Sequence, residues 1–353
     1  MVLHWLLSLI RYRNDTAEAI TPTIKEYSLE SLRQVMKNVN IVESTGSLCI
    51  SMSSNPHPRP LFKPEHRIDQ FNHVSPRLFV DGIETNDISQ GAFGTCYFLA
   101  AMAYCAYQKP DVIQHAISAT SNPQEFTVRL YDEAGQLHTC IVNTDVPYIS
   151  LGEYACAKSK KNDEMWVSLL EKGFAQLVVN RLGMESTASR YEIIEGGWSA
   201  VAMTLLARGR SYYICVTDLV SKMLGNVTMM EQFCDVMIQF KAHGCSFFVA
   251  WVEEFAAKRD DLVTGHAYSV LAIKYILDCG YVFMLHNPWG QYEWKGSLSD
   301  SDKSPKSMAV HKAFNIGFKN DGFFLIGAHD FFARLFMLEI HEPHEQTIVR
   351  DVL

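Results

Sequence analysis

The 353-residue chain carries nine cysteines but no two of them are spaced as C-x-x-C. That absence argues against a redox dithiol or a zinc knuckle, and an odd, scattered set fits a reducing compartment better than a disulfide framework. A basic block is missing too: 31 Lys and Arg stand against 39 Asp and Glu, for a formal charge of −8. Without a basic stripe, such a chain is a poor ligand for nucleic acid or an anionic membrane surface. No internal repeat is present, and no D-x-[DN]-x-[DN]-G loop of the EF-hand type. The apolar opening Val2–Ile10 lacks a basic n-region and is too short to span a bilayer, although Ala17-Glu18-Ala19 offers the small-residue pattern of a cleaved leader. We expect a cytoplasmic protein with no clear membrane segment, acting on proteins or small molecules.

What is present suffices for about two domains, with 48% apolar and 20% charged residues. Residues 1–75 read as an extension, with a short helix over Ser28–Lys37 and a run from Ser51 to Pro64 that holds four prolines. Cys96–Gln108 is apolar all round before Pro110 closes it, which predicts a fully buried helix. Strands are expected at Thr127–Asp132 and His138–Tyr148, and a helix over Glu164–Leu182. Gly196-Gly197 then interrupts the pattern, and we place a division there. Helices over Trp198–Ala207 and Thr228–Ala242 follow. The remainder reads mostly as strands: Ser246–Val252, His266–Ile276, Tyr281–His286, Phe323–Ile326 and Leu335–Ile340.

In Gln90-Gly-Ala-Phe-Gly-Thr-Cys96 a glycine-rich loop delivers a cysteine to a helix N-terminus. There the macrodipole, and a histidinium if one is near, lower the thiol pKa. Thr95 is positioned to cap that helix. A histidine begins an apolar strand at Gly265-His-Ala-Tyr-Ser-Val270, and an asparagine ends the following strand at His286-Asn-Pro-Trp-Gly-Gln291. Taken singly, Cys96 reads equally as buried filler, His266 as a core histidine, Asn287 as a turn residue before Pro288 and Gln90 as a loop polar group. Together they supply a nucleophile, a base, and an amide that orients the base. The Gln90 amide, with the Cys96 backbone N–H, supplies donors for an oxyanion.

These residues resemble the protease core of the calpain family of cysteine endopeptidases. The likeness runs from about Leu78 to Ile340 through four motifs: Asp87-Ile-Ser-Gln-Gly-Ala-Phe-Gly-Thr-Cys96, Leu169-Leu-Glu-Lys172, Gly265-His-Ala-Tyr-Ser269 and Asn287-Pro-Trp-Gly-Gln-Tyr-Glu-Trp294. It implies an α+β, papain-like two-lobed fold with the cleft between the lobes. The helical first lobe (76–196) bears Cys96 and Gln90. The β-rich second lobe (197–342) bears His266 and Asn287, with a tail over 343–353. Trp289 would cover the His266–Asn287 contact.

The resemblance also implies a calcium ion in each lobe, drawing the lobes together. First-lobe donors would be the carbonyls of Val80 and Gly82 with the side chains of Asp87 and Glu171. Second-lobe donors would be Glu293, Asp300, Asp321 and the carbonyl of Lys319. That second set is incomplete, because Phe323 stands where the family has a glutamate, and Thr85 stands where the family has the arginine that pairs with it across the lobes. Thr95 replaces the family's aspartate and Tyr97 its tryptophan. The similarity stops near the C-terminus, so neither the membrane-type β-sandwich nor the EF-hand domain of larger members is expected.

The expected activity is calcium-promoted limited proteolysis of protein substrates, with a protein inhibitor or regulatory partner possible for such an enzyme. Two alternatives stay open: a calpain-like pseudo-protease that binds without turnover, and a papain-like acyl transferase such as a transglutaminase.

Overall fold

Period-2 burial in the strand-rich half sorts the side chains of one sheet onto two apolar faces. Phe248, Val282, Met284 and Leu325 join one core cluster, while their chain neighbours Phe247, Val249, Phe283, Leu285, Phe324 and Ile326 join another. The strands are β1 (Ile41–Glu43), β2 (Gly209–Cys215), β3 (Ser246–Trp251), β4 (Tyr268–Ile276), β5 (Gly280–His286), β6 (Phe323–Gly327) and β7 (Leu335–Pro343). They form a seven-stranded antiparallel sheet in the order β1-β2-β7-β3-β4-β5-β6. The β4–β5 hairpin turns through Asp278 and Gly280, both at positive φ. It pairs Ser269 with His286, which sets the ends bearing His266 and Asn287 side by side.

The structure is a computed structural model, and it describes residues 28–37, 39, 41–43, 63–67, 77–150, 153–161, 163–181, 183, 191–215, 217–251, 262–346 and 349. The apolar opening, the Ala17–Ala19 pattern and most of the proline-rich run lie outside these residues.

Four helices organise the body: α1 (Cys96–Gln108), α2 (Trp166–Arg181), α3 (Ser199–Ala207) and α4 (Val227–Ala242). Helix α1 is buried on every side, as its all-round apolar sequence predicts, and it lies between α3 and β4. Side chains stitch it to the sheet: Ser269 Oγ donates to Ala100 O at 2.7 Å, and Tyr104 Oη to Cys245 O at 3.2 Å. Helix α2 packs on a small sheet of strands 117–119, 125–131 and 137–143. On the far face of the large sheet lie α4, the helix Leu29–Met36 and the helix Ala328–Arg334.

Several sequence expectations are corrected. The expected strand His138–Tyr148 breaks at Thr144 into Leu137–Asn143 and Asp145–Ser150. Strand β2 and the helix Pro305–Phe314 were not expected; the latter is capped by Ser304 with Pro305 in its first turn. The described parts of the stretch before residue 76 pair with the body. They contribute β1 to the large sheet, while Lys63–Arg67 pairs with Asp145–Ser150 in the first lobe. No disulfide joins the described cysteines.

The approach of α2 to the small sheet is set by Gly173, where an added Cβ would lie 2.4 Å from Val128 Cγ1 and 2.7 Å from Val128 Cβ. Alanine in a helix interior gains about 1 kcal/mol over glycine, but forced overpacking costs about 1–3 kcal/mol. Gly173→Ala is therefore expected to lower stability in urea titration, and a stabilised variant would show that this contact yields.

Candidate active site

Helix α1 presents Cys96 at its first turn, half-buried, because the loop before it is drawn in tightly. At Gly91 an added Cβ would stand 2.3 Å from the carbonyl oxygens of Ala155 and Cys156, so only glycine fits. The Cys96 sulfur faces the backbone N–H groups of Ala267 and Tyr97, donors that favour thiolate. Burial outweighs them and pushes the thiol up, with the Glu339 carboxylate adding to the rise. Thr95 does not cap α1 as expected. Its hydroxyl donates to Glu171 Oε1 at 2.5 Å instead. Tyr97 donates to Ile194 O at 2.8 Å and lays its ring on Gly197, joining α1 to the glycine pair before α3.

The imidazole of His266 is 4% exposed and lies in the turn that leads into β4. Its Nε2 stands 2.7 Å from Asn287 Oδ1. The orientation of that amide follows from its other partners. Asn287 Nδ2 donates to Gln291 O at 2.7 Å and Tyr292 O at 3.1 Å, while Trp289 N–H donates to Oδ1 at 2.9 Å. Only the oxygen can face His266, so Nε2 carries the proton and Nδ1 is the basic nitrogen. Trp289 packs its ring 4.4 Å from the imidazole. Burial lowers the His266 pKa to about 4, against the support of Asn287. No hydrogen bond joins Cys96 and His266, although the sulfur meets the amide of the next residue, Ala267. Burial thus opposes both the thiolate and the imidazolium in the resting site.

Gln90 sits on the same rim. Its backbone N–H donates to Pro288 O at 3.2 Å, tying the two lobes beside Asn287. Its Nε2 donates to Phe93 O at 2.8 Å, and its buried Oε1 has no partner. One amide hydrogen remains for a ligand in the cleft.

The expected first-lobe calcium donors are committed to other partners. Glu171 is spent on Thr95 and, at 2.7 Å, on the Ala157 N–H. Burial pushes its carboxyl up to about 7. The carboxylate that stands by Val80 is Glu164, which accepts the Val80 N–H at 2.7 Å and the Ser159 hydroxyl at 2.5 Å. Asp87 and the Val80 carbonyl are held by an ammonium: Lys161 Nζ lies 3.0 Å from Asp87 Oδ1 and 2.9 Å from Val80 O. Gly82, at φ +106, has no bond in this group.

In the second lobe, Glu293 accepts the Gly322 N–H at 2.7 Å, Asp321 accepts the Phe323 N–H at 3.2 Å, and the Lys319 carbonyl takes the Asp321 N–H at 2.9 Å. The buried oxygens of Asp300 meet no N–H or hydroxyl donor and lie against the Glu293 carboxyl. Burial raises both Glu293, to about 7, and Asp300, and each is raised further by acidic neighbours. Among the described residues no group of three or more His, Cys, Asp and Glu side chains is disposed to hold a metal ion. Calcium asks for six to eight oxygens at about 2.3–2.6 Å. With an ammonium on two of the first lobe's donors and the Glu171 carboxylate spent elsewhere, the first-lobe residues do not fit it.

Sequence reasoning missed Glu164, Lys160, Lys161 and Glu339. The last had a signal, a lone carboxylate within the apolar run Leu335–Ile340. Its Oε2 accepts the Ala200 N–H at 2.8 Å and so caps α3 from across the sheet.

A thiol at a helix start beside the Ala267 N–H, with the neighbouring imidazole of His266 oriented by a carboxamide, where a helical layer meets an antiparallel sheet, fits the papain-like class of fold. The family model for calpain family cysteine proteases matches residues 45–342, and the chain belongs to that family. It is 27% identical over 275 residues to the calpain-type cysteine protease DEK1 of Zea mays, covering 76% of this chain and 12% of that protein. Calpain clp-4 of Caenorhabditis elegans is 29% identical over 278 residues, covering 76% of this chain and 36% of that protein. The calpain-1 catalytic subunit of Homo sapiens is 28% identical over 277 residues, covering 75% and 36%. The chain thus spans only about a tenth to a third of the length of these relatives. Among the described residues no helix is long and apolar enough to cross a membrane.

Burial lifts Glu339 from an ordinary value near 4.5 to about 7. Because the folded state then holds a proton that the unfolded chain releases, the stability linked to Glu339 is complete below pH 4.5 and declines as pH rises to about 7. Glu339→Gln removes that decline, so its stability relative to the parent should improve between those limits in urea titrations. Removing the charge should also speed alkylation of Cys96. A variant that tracks the parent in both measurements would contradict this account.

Proposed function

We propose that the chain is a cysteine endopeptidase that makes limited cuts in protein substrates, with Cys96 as nucleophile, His266 as base and Asn287 as the orienting amide. The observation that carries this reading is the 2.7 Å contact between His266 Nε2 and Asn287 Oδ1, which leaves Nδ1 as the basic nitrogen. When a peptide carbonyl enters the cleft, His266 Nδ1 takes the thiol proton as the sulfur bonds to the carbonyl carbon. The oxyanion is stabilised by the Cys96 N–H and the Gln90 amide. His266 returns the proton to the departing amine as the C–N bond breaks, leaving a thioester. Water, deprotonated by His266, then releases the carboxylic acid and restores the thiol.

Burial that disfavours both charged forms at rest does not bar the reaction. Apo geometry at such sites tightens when substrate arrives. Lobes over 76–196 and 197–342 joined at Gly196-Gly197, a cytoplasmic location and a protein inhibitor or regulatory partner belong to the same proposal. The calcium promotion that the resemblance implies meets an obstacle at Lys161, whose ammonium holds the Asp87 and Val80 oxygens.

A second reading, a pseudo-protease that binds without turnover, is favoured by the raised Cys96 thiol and the lowered His266 imidazole. Casein cleavage decides between them. Wild type should cleave and Cys96→Ala should not, while Gln90→Ala should lose roughly 100- to 1,000-fold in kcat. An inert wild type whose Cys96 reacts no faster than the other thiols would sink the protease reading.

A further inference from the structure

Lys160 and Lys161 follow directly on the short strand Lys158–Ser159, which pairs with Ile88–Ser89, and the Lys160 N–H donates to Asp87 O at 2.8 Å. The backbone thus fixes both lysines beside Asp87, and their side chains leave in different directions. Lys161 turns into the first lobe. There its ammonium meets Val80 O at 2.9 Å, Asp87 Oδ1 at 3.0 Å and Glu84 Oε2 at 3.7 Å. Asp87 is only 1% exposed, so its charge has to be matched from within the protein. Lys160 crosses to the second lobe, passes over Gly290 so closely that an added Cβ there would lie 2.4 Å from Nζ, and donates to Asp321 O at 3.4 Å. Burial lowers its pKa, while the carboxylates of Asp321, Glu293 and Asp87 oppose that fall.

Two ammonium groups from consecutive residues therefore serve the two acidic clusters, one in each lobe. A cation that belongs to the chain needs no uptake from solution. In the first lobe Lys161 takes the Val80 carbonyl and the Asp87 carboxylate directly, whereas in the second Lys160 bonds only the Asp321 carbonyl and faces the Asp321 and Glu293 carboxylates through its charge. Lys160 also reaches across the junction that Thr85 and Phe323, an alcohol and an aromatic, cannot bridge by charge.

We propose that Lys160 and Lys161 are resident cations that hold the two lobes in register, so that this chain assembles its cleft without calcium. Only the consequence for proteolysis rests on the protease reading. The binding and melting measurements below do not.

The test uses the full chain. Equilibrium dialysis with calcium up to about 1 mM, where even weak calcium modules bind, should show no saturable binding to wild type. Melting temperature and the alkylation rate of Cys96 should be the same in calcium and in EDTA. Lys161→Gln should lower the melting temperature by about 3–10 °C, and calcium should recover part of the loss. Saturable calcium binding to wild type with a raised melting temperature would overturn the proposal. So would a Lys161→Gln protein that melts like wild type. If Lys161→Gln does not fold, the wild-type dialysis and alkylation measurements decide alone. Wild type that melts identically in calcium and EDTA yet leaves casein intact would overturn the protease reading and leave the cations standing.

Discussion

Asn287 has one side-chain oxygen and two amide hydrogens, and the fold commits the hydrogens first. Gln291 and Tyr292 present their carbonyls to the nitrogen, and Trp289 its N–H to the oxygen, within a turn that closes on itself through Gly290 N–H and Asn287 O. The oxygen is then the only end that His266 can meet. A buried imidazole has two tautomers, and only the one with Nε2 protonated can take a proton from a thiol on its other side. The local backbone from Asn287 to Tyr292 thereby decides the chemistry of a ring held on a separate strand end.

The electrostatics at the thiol balance opposing effects of one enclosure. The same dry environment that orients His266 and shields it behind Trp289 raises the Cys96 thiol and lowers the imidazole. Backbone N–H groups at the start of α1 and at Ala267 pull the other way. Two further buried carboxyls share the neighbourhood: Glu171 beneath Thr95, and Glu339 at the start of α3. Their raised pKa values mean that the proton content around the cleft changes near neutrality.

Much of this was legible in the sequence where one physical signal dominated. An all-round apolar run stopped by Pro110 marked both ends of α1, and the hairpin alternation placed His266 and Asn287 at neighbouring strand ends. The choice between Glu164 and Glu171 was not legible, because Glu164 lies just before α2 and Glu171 within it, and only tertiary packing shows which one Thr95 and Ala157 consume. Lys160 and Lys161 stand in a polar run, Ser159-Lys-Lys-Asn-Asp-Glu164, with no spacing that signals a partner. Their roles depend on a two-residue strand whose partner lies far back in the chain. The helix Pro305–Phe314 had a Ser-Pro start in plain view and was overlooked beside the stronger strand pattern. Strand β1 is three residues long, and no local preference could have announced it.

Strand β1 also has a temporal consequence. Ile41 pairs with Ile214, and the neighbouring strand β2 in turn pairs with β7, at the far end of the chain. On a ribosome, this edge segment emerges long before β2 and must wait for that strand before its hydrogen-bonding partner is available. Lys63–Arg67, by contrast, meets Asp145–Ser150 much sooner. The leading part of the chain is thus anchored early to one half and late to the other. Closure of the large sheet becomes a long-range, slow step of biosynthesis, during which an unpaired edge is open to capture by chaperones or by another copy.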